Sequence, residues 1–355
     1  MSGDARDELR AVARDLLGTS ATPAVQQPTT PSWSTLADAG WLGLDIDEDL
    51  GGSGATFAET VVVVEELARA AALSPFLGSA VLGAGALALL VPSEARDELL
   101  GSSAVGDVVV ALAALDDAFA LDHALRLSGC ADFVLDAPAA SQLLIVAHSS
   151  DGEPVVVAVK ATDLDVTHQP VLDETRLLGT VAADGVAVDP ASVLRLAGDP
   201  HVALGTLRSR AAVAIAADCL GIGEAMLAAT VAYASVREQF DRPIGSFQAV
   251  KHACADMHVQ LRVGRELVDA AVAALVGAED EAGRAASRAK SYLGDAAVTI
   301  AGQAMQLHGG IGYTWESGVH LYLKRAMLNR VLFGSPAEHR RRLAEALTNH
   351  VFRDR

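Results

Sequence analysis

A chain of 355 residues, 51% of them hydrophobic, can bury a substantial core and is long enough for two or three structural units. With 27 Lys+Arg against 45 Asp+Glu, its net charge of −18 repels nucleic-acid phosphates and anionic lipid headgroups, so neither is an expected partner. An anionic ligand must be met by cations gathered locally against that field, which makes clustered arginines the feature to find.

In chain order, Met1 to Glu8 has neither the basic start nor the apolar run of an export signal, and a cytoplasmic protein is expected. Helical periodicity runs from Asp4 to about Leu100. It is broken at Pro23 to Ser34 by Pro, Thr and Gln and at Gly51-Gly52-Ser53-Gly54 by a glycine turn. The apolar stretch Ala80 to Pro92 is too short to span a bilayer and reads as a core helix. Between Asp107 and Val193 the runs Val108–Val110, Leu143–Val146 and Val155–Val159 alternate with Asp, Gly, Ser and Pro, and predict a small β unit. Helical periodicity returns over 201–235, 247–275 and 281–307 with a break at Gly277 to Asp280, as in a helical bundle. Two more helices follow, the last begun by Ser335-Pro336-Ala337-Glu338, a capping box with proline at the first helical position. Cys130, Cys219 and Cys254 are odd in number and lack metal-ligand spacing, so neither a disulfide framework nor a metal site is expected. The boundaries predicted are 1–104 for an N-terminal helical domain, 105–198 for a β-barrel-like middle domain and 199–355 for a C-terminal four-helix bundle.

Two stretches carry chemistry. At a helix break enforced by Pro243 and Gly245, Arg237 can either fork onto a phosphate or cap carbonyls at its helix end, while Gln248 can bond a polar edge. In Gln306 to Glu316 the glycines let backbone approach a ligand with its amides unobstructed. With Gly40-Trp41-Leu42-Gly43-Leu44, Glu48 and Gly51-Gly52 upstream, the order Arg237-x-x-Phe240-x-x-Pro243-Ile244 and then Gln306-x-x-Gly309-Gly310-x-Gly312 resembles the acyl-CoA dehydrogenase family over nearly the whole chain.

That resemblance implies an α-β-α fold, an FAD cofactor, and a dimer in which Arg237, Gln239, Phe247, Gln248, Gln306, Gly309 and Gly310 reach the adenine and pyrophosphate of an FAD held mainly by the neighbouring subunit. The family removes an α-proton with a glutamate while the flavin accepts the β-hydride. Here Phe333 stands in the usual base position and Ala211 in the alternative one, so no catalytic residue is expected. Asp218 follows Ala211 by seven residues, about 10 Å along the same helix face, too far to substitute; Glu224 and Glu238 read as solvated or helix-end charges. The family's flavin-ring motif in the β unit is replaced by Ala111-Leu112-Ala113-Ala114-Leu115-Asp116-Asp117. Retained phosphate contacts with a lost base and ring cradle imply the base-less subunit of a heteromeric (α2β2) acyl-CoA dehydrogenase, paired with a related chain that carries the glutamate. Actinobacterial heteromers of this kind act on steroid-CoA thioesters. The alternatives are a homomeric flavoenzyme with a displaced base and a flavin-free scaffold or acyl-CoA-binding subunit.

Overall fold

The computed structural model describes residues 3–18, 29–113, 115 and 118–353. Residues 23–28 of the Pro/Thr/Gln-rich stretch, and Ala114, Asp116 and Asp117 of the expected ring-cradle region, lie outside the described residues.

Helices α1 (Gly3–Leu16), α2 (Trp33–Asp38) and α3 (Phe57–Arg69) come first. Thr56 and Glu59 cap α3 reciprocally, their side chains satisfying amides that the first turn leaves unpaired. The apolar stretch read as one core helix is a buried π-helical segment, Leu77–Gly83, running into α4 (Ala84–Ala88). Helix α5 (Glu94–Ala104) then leads into the sheet.

The strands are β1 (Val110–Ala113), β2 (Phe119–Leu121), β3 (Arg126–Leu135), β4 (Gln142–Ser149), β5 (Pro154–Lys160), β6 (Asp165–Gln169), β7 (Leu178–Ala187) and β8 (Val193–Leu194). They form one sheet in the order β6-β7-β3-β2-β4-β5-β8, with β1 added in parallel beside β4. Val155 and Val157 of β5 pack with Leu143 and Ile145 of β4 in a core of the sheet's own. Residues of opposite parity on these strands, Leu144, Val146 and Val156, join the larger helical core, as the two-residue period of a strand requires.

Helix α6 (Pro200–Val236) is 37 residues long, started by Asp199, whose carboxylate accepts from His201 N at 2.8 Å. It is long and apolar enough to cross a membrane, but 83% of its most apolar window is buried by the rest of the protein. At Gly221 a Cβ would stand 2.2 Å from the carbonyl oxygen of Glu65, so only glycine lets α6 and α3 approach this closely. Antiparallel helices α7 (Gln248–Val276) and α8 (Ala282–His308) complete the central bundle, and α9 (Val319–Val331) and α10 (Pro336–Arg353) pack against α8. The Ser335 box forms as its sequence predicts: the Glu338 carboxylate accepts from Ser335 N at 2.6 Å, and Ser335 Oγ accepts from Glu338 N at 3.3 Å.

Candidate functional site

Arg237 caps the C-terminus of α6, its own N–H donating to the Tyr233 carbonyl at 2.9 Å. The chain then makes a miniature hairpin of β9 (Glu238–Gln239) and β10 (Arg242–Pro243), closed by Ile244 N donating to Arg237 O at 2.8 Å. Its turn residues, Phe240 and Asp241, both have positive φ, 54° and 60°. Such turns suit the twist of paired strands but favour Asn and Gly, so phenylalanine is strained there, and its ring is 87% exposed.

Phe247 packs edge-on to Phe240 at 6.1 Å, and the Arg242 guanidinium lies over the Phe247 ring at 4.1 Å. Gln248 opens α7 with its side chain exposed, whereas Gln239 folds back onto the Glu238 carbonyl at 2.8 Å. Across from this hairpin the end of α8 is held by Tyr233 and His308, stacked at 4.6 Å. His308 is fixed in turn by Nδ1 donating to Ala304 O at 2.7 Å. Gln306 is exposed on that last turn, and nothing lies within 4 Å of where a Cβ would sit at Gly309 or Gly310.

The predicted set is therefore gathered at one end of the bundle. Arg237, Gln239, Gln248, Gln306, Gly309 and Gly310 are exposed and Phe247 is half-buried. The Arg237 guanidinium takes no carbonyl of its own helix and no carboxylate among the described residues, so helix capping does not occupy it. Sequence reasoning missed Arg242 and the Tyr233–His308 stack; the mirror-image turn that brings Arg242 back beside Phe247 has no Asn-Gly signature to announce it. Exposed Val236, Ile311, Tyr313 and Trp315 belong to the same segments and add apolar surface to them.

The two departures from the family pattern face one cleft. Its volume is about 680 Å³, and Leu112 and Leu115 of the expected ring-cradle region line it together with Phe333. Phe333 has a positive φ of 55°, and its turn is gripped from both sides. Lys290 Nζ donates to Gly334 O at 2.8 Å and to Arg330 O at 3.3 Å, while His339 Nε2 donates to Phe333 O at 3.1 Å. Burial holds His339 neutral, its pKa lowered to about 4, which leaves Nδ1 free to accept from Ser287 Oγ at 3.2 Å.

Among the described residues, the two carboxylates that line the cleft, Asp132 and Glu338, are both engaged. Asp132 accepts from Thr180 Oγ1 at 2.7 Å, and Glu338 is bound to Ser335. Ala211 is buried in α6, and neighbouring Arg210 is paired with Asp45. Asp218 is buried and accepts from Arg325 Nε at 2.9 Å, Asn329 Nδ2 at 2.6 Å and Arg176 Nη2. Burial pushes its pKa up, but Arg176 and Arg325 outweigh that and hold it at about 2. Glu224 is not merely solvated: Arg265 lies at 2.7 Å and Arg69 at 3.8 Å. Glu238 is exposed on the hairpin.

The N-terminal domain of acyl-CoA dehydrogenases matches residues 3–107 and the C-terminal domain of the same enzymes matches residues 201–348. Acyl-CoA dehydrogenase IpdE2 of Mycobacterium tuberculosis is 33% identical over 348 residues, 95% of this chain and 96% of its own length. The chain belongs to the acyl-CoA dehydrogenase family. Its members are oxidoreductases acting on the CH–CH bond of acyl-CoA, and the cofactor of the fold is FAD.

Among solved structures, the ChsE4-ChsE5 complex from Mycobacterium tuberculosis matches with a TM-score of 0.86 and 30% identity, over 98% of each chain. The Tcur3481-Tcur3483 steroid acyl-CoA dehydrogenase, solved as its G363A variant, matches with a TM-score of 0.85 and 27% identity, over 98% of this chain and 99% of the other. The relatives thus include a two-chain assembly and a steroid enzyme.

Proposed function

We propose that this chain is the base-less subunit of a heteromeric, FAD-dependent acyl-CoA dehydrogenase. It contributes contacts to the adenine and pyrophosphate of an FAD seated chiefly in a related partner that carries the catalytic glutamate. The observation that carries this reading is Phe333: a firmly held turn presents an aromatic ring, not a carboxylate, to the cleft. The turn is ordered and its carbonyls are satisfied, so the loss is local to one side chain.

The exposed end of the bundle suits the cofactor. An unpaired guanidinium at Arg237, amide edges at Gln248 and Gln306, and open backbone at Gly309 and Gly310 match a diphosphate joined to a purine. FAD, when bound, supplies the acceptor for the β-hydride. Arg237 would bind the diphosphate, Gln248 and Gln306 would orient the adenine end, and the rim of Phe240, Tyr313 and Trp315 would exclude water against the partner. The names of ChsE4-ChsE5 and Tcur3481-Tcur3483 support a two-chain assembly, and the second supports a steroid-CoA thioester as substrate. With Asp218 locked between two arginines, the homomeric alternative loses the displaced base on which it depended.

Co-expression with a candidate partner of the same family that retains the glutamate tests this. A yellow complex that desaturates acyl-CoA, beside a colourless and inactive isolated chain, is the expected outcome. A yellow, active homo-oligomer of this chain alone overturns it.

A further inference from the structure

The loop after α8 carries Gly309 and Gly310 at one end and the exposed Trp315 at the other. It runs as two single turns, Gly309–Tyr313 and Trp315–Ser317, before α9 begins. The hydrogen bonds that shape it are local: Thr314 N donates to Ile311 O at 3.0 Å, and Ser317 Oγ donates to Thr314 O at 3.1 Å. Its rear is seated on α8, where a Cβ at Gly312 would stand 2.5 Å from Met305 O. The far end is tied elsewhere. Lys324 Nζ of α9 lies 4.8 Å from the centre of the Trp315 ring, and His320 meets that ring edge-on at 4.5 Å. The same ammonium donates to Glu174 Oε1 at 2.8 Å, on the connection between β6 and β7.

A partly exposed ion pair is ordinarily worth little, because two long side chains must be ordered to make it. Here each partner sits beside a buried neighbour that fixes its backbone. Thr175, next to Glu174, accepts from Nη1 of Arg325, next to Lys324, at 3.1 Å. Both neighbours are buried, and Asp218 holds Arg325 in turn. Two segments 150 residues apart are thus brought together from beneath, and the ammonium is presented to the tryptophan face. We infer that Glu174 and Lys324 are positioning residues: through Trp315 they set the loop that presents Gly309 and Gly310, so the β unit holds the cofactor-facing end of the bundle in place. This inference rests on the proposed contact with FAD and deepens it. Neither side chain is required to touch the cofactor, and no bond is made or broken.

The full chain is labelled with 5-fluorotryptophan and read by fluorine NMR, alone and with unlabelled partner. Its three tryptophans give three signals, and Trp315→Phe identifies the one in question. Glu174→Gln and Lys324→Met should move the Trp315 signal towards that of free tryptophan and leave Trp33 and Trp41 in place. Both should weaken FAD in the reconstituted complex about two- to fivefold, the scale of one cation–ring contact. Lys324→Arg keeps a cation over the ring and should restore both readouts. A Trp315 signal that stays in place in both variants overturns the inference. So does movement of all three signals together, which reports general loosening, and so does a moved Trp315 signal with unchanged FAD affinity while Arg237→Ala still lowers it. Unchanged affinity in Arg237→Ala itself overturns the cofactor reading first and this inference with it, and the tryptophan signal tells the two failures apart.

Discussion

Asp218 shows how much one carboxylate can be committed to structure. Arg325, Arg176 and Asn329 bind it from two directions, and Arg325 also donates to the Ala72 carbonyl at 2.9 Å, tying the bundle to the end of α3. Asp218→Asn leaves two buried guanidiniums short of a counter-charge and should cost about 3–5 kcal/mol in a urea melt. Equal stability of the variant would show that the network is not a clamp. Because its folded pKa lies below the unfolded value, the stabilisation is complete above about pH 4 and is lost only as pH falls towards about 2. Asp136 is the opposite case. Its Oδ2 accepts from Gly78 N at 2.8 Å, while Oδ1 is buried without a partner. Burial raises its pKa to about 7 against the pull of Arg176. Here the folded state binds the proton more tightly, so stability falls as pH rises from about 4 to about 7 and stays down above that. His339, lowered by burial to about 4, works the other way over part of that range, so the quantity to measure is the difference between wild type and Asp136→Asn. Urea midpoints at pH 5 and pH 7.5 should converge on the variant's more weakly pH-dependent line; parallel slopes would refute the assignment. The sequence places Asp218 on its helix, but its partners lie as far as 111 residues away, beyond what a periodic pattern can reveal.

At the level of elements, the legible parts of the fold are those set by local chemistry. The capping box at Ser335, the break at Gly277 to Asp280 and the alternating strands of β4 and β5 depend on neighbours within a few residues, and all are found. The π-helical stretch Leu77–Gly83 was read as ordinary helix because its composition is apolar either way, and the difference is one of hydrogen-bond register. The hairpin after α6 hid for another reason: Phe240 and Asp241 occupy a turn that propensity assigns to Asn-Gly. Two positive-φ residues with side chains store about 1–2 kcal/mol each, and the exposed Phe240 ring returns only its edge contact with Phe247 in the isolated chain. Strain of that kind persists where a function holds it. Phe240→Gly should therefore raise the thermal stability of the chain alone by the equivalent of about 1 kcal/mol, yet reduce recovery of the partner and of FAD in a pull-down. Stabilisation with full recovery would mean that the ring serves no interface.

For the whole molecule, the segments proposed to contact FAD and the cleft at the family's base position lie in separate places. The Arg237 and Gln306 segments stand exposed at one end of the bundle, while Phe333, Leu112 and Leu115 close around a cleft under the sheet. Under the proposed function, this separation would let one chain lose its base while keeping its contacts to a neighbour's cofactor, and it makes two substitutions diagnostic together. Arg237→Ala removes the free guanidinium and should lower the FAD content of the reconstituted complex severalfold, with added salt mimicking the effect in the wild type, since a diphosphate contact is screened by ions. Phe333→Glu places a carboxylate on a turn that Lys290 and His339 already hold, so backbone geometry should survive, as judged by an unchanged far-ultraviolet spectrum. A base alone is not a site, however: Leu112 and Leu115 offer the cleft no polar groups to hold a flavin ring. The isolated Phe333→Glu chain should therefore stay colourless and inactive towards acyl-CoA, and the complex that contains it should turn over at the wild-type rate per FAD. A gain of desaturase activity in that variant alone would move the flavin into this subunit's own cleft and reverse the assignment of which chain carries the chemistry.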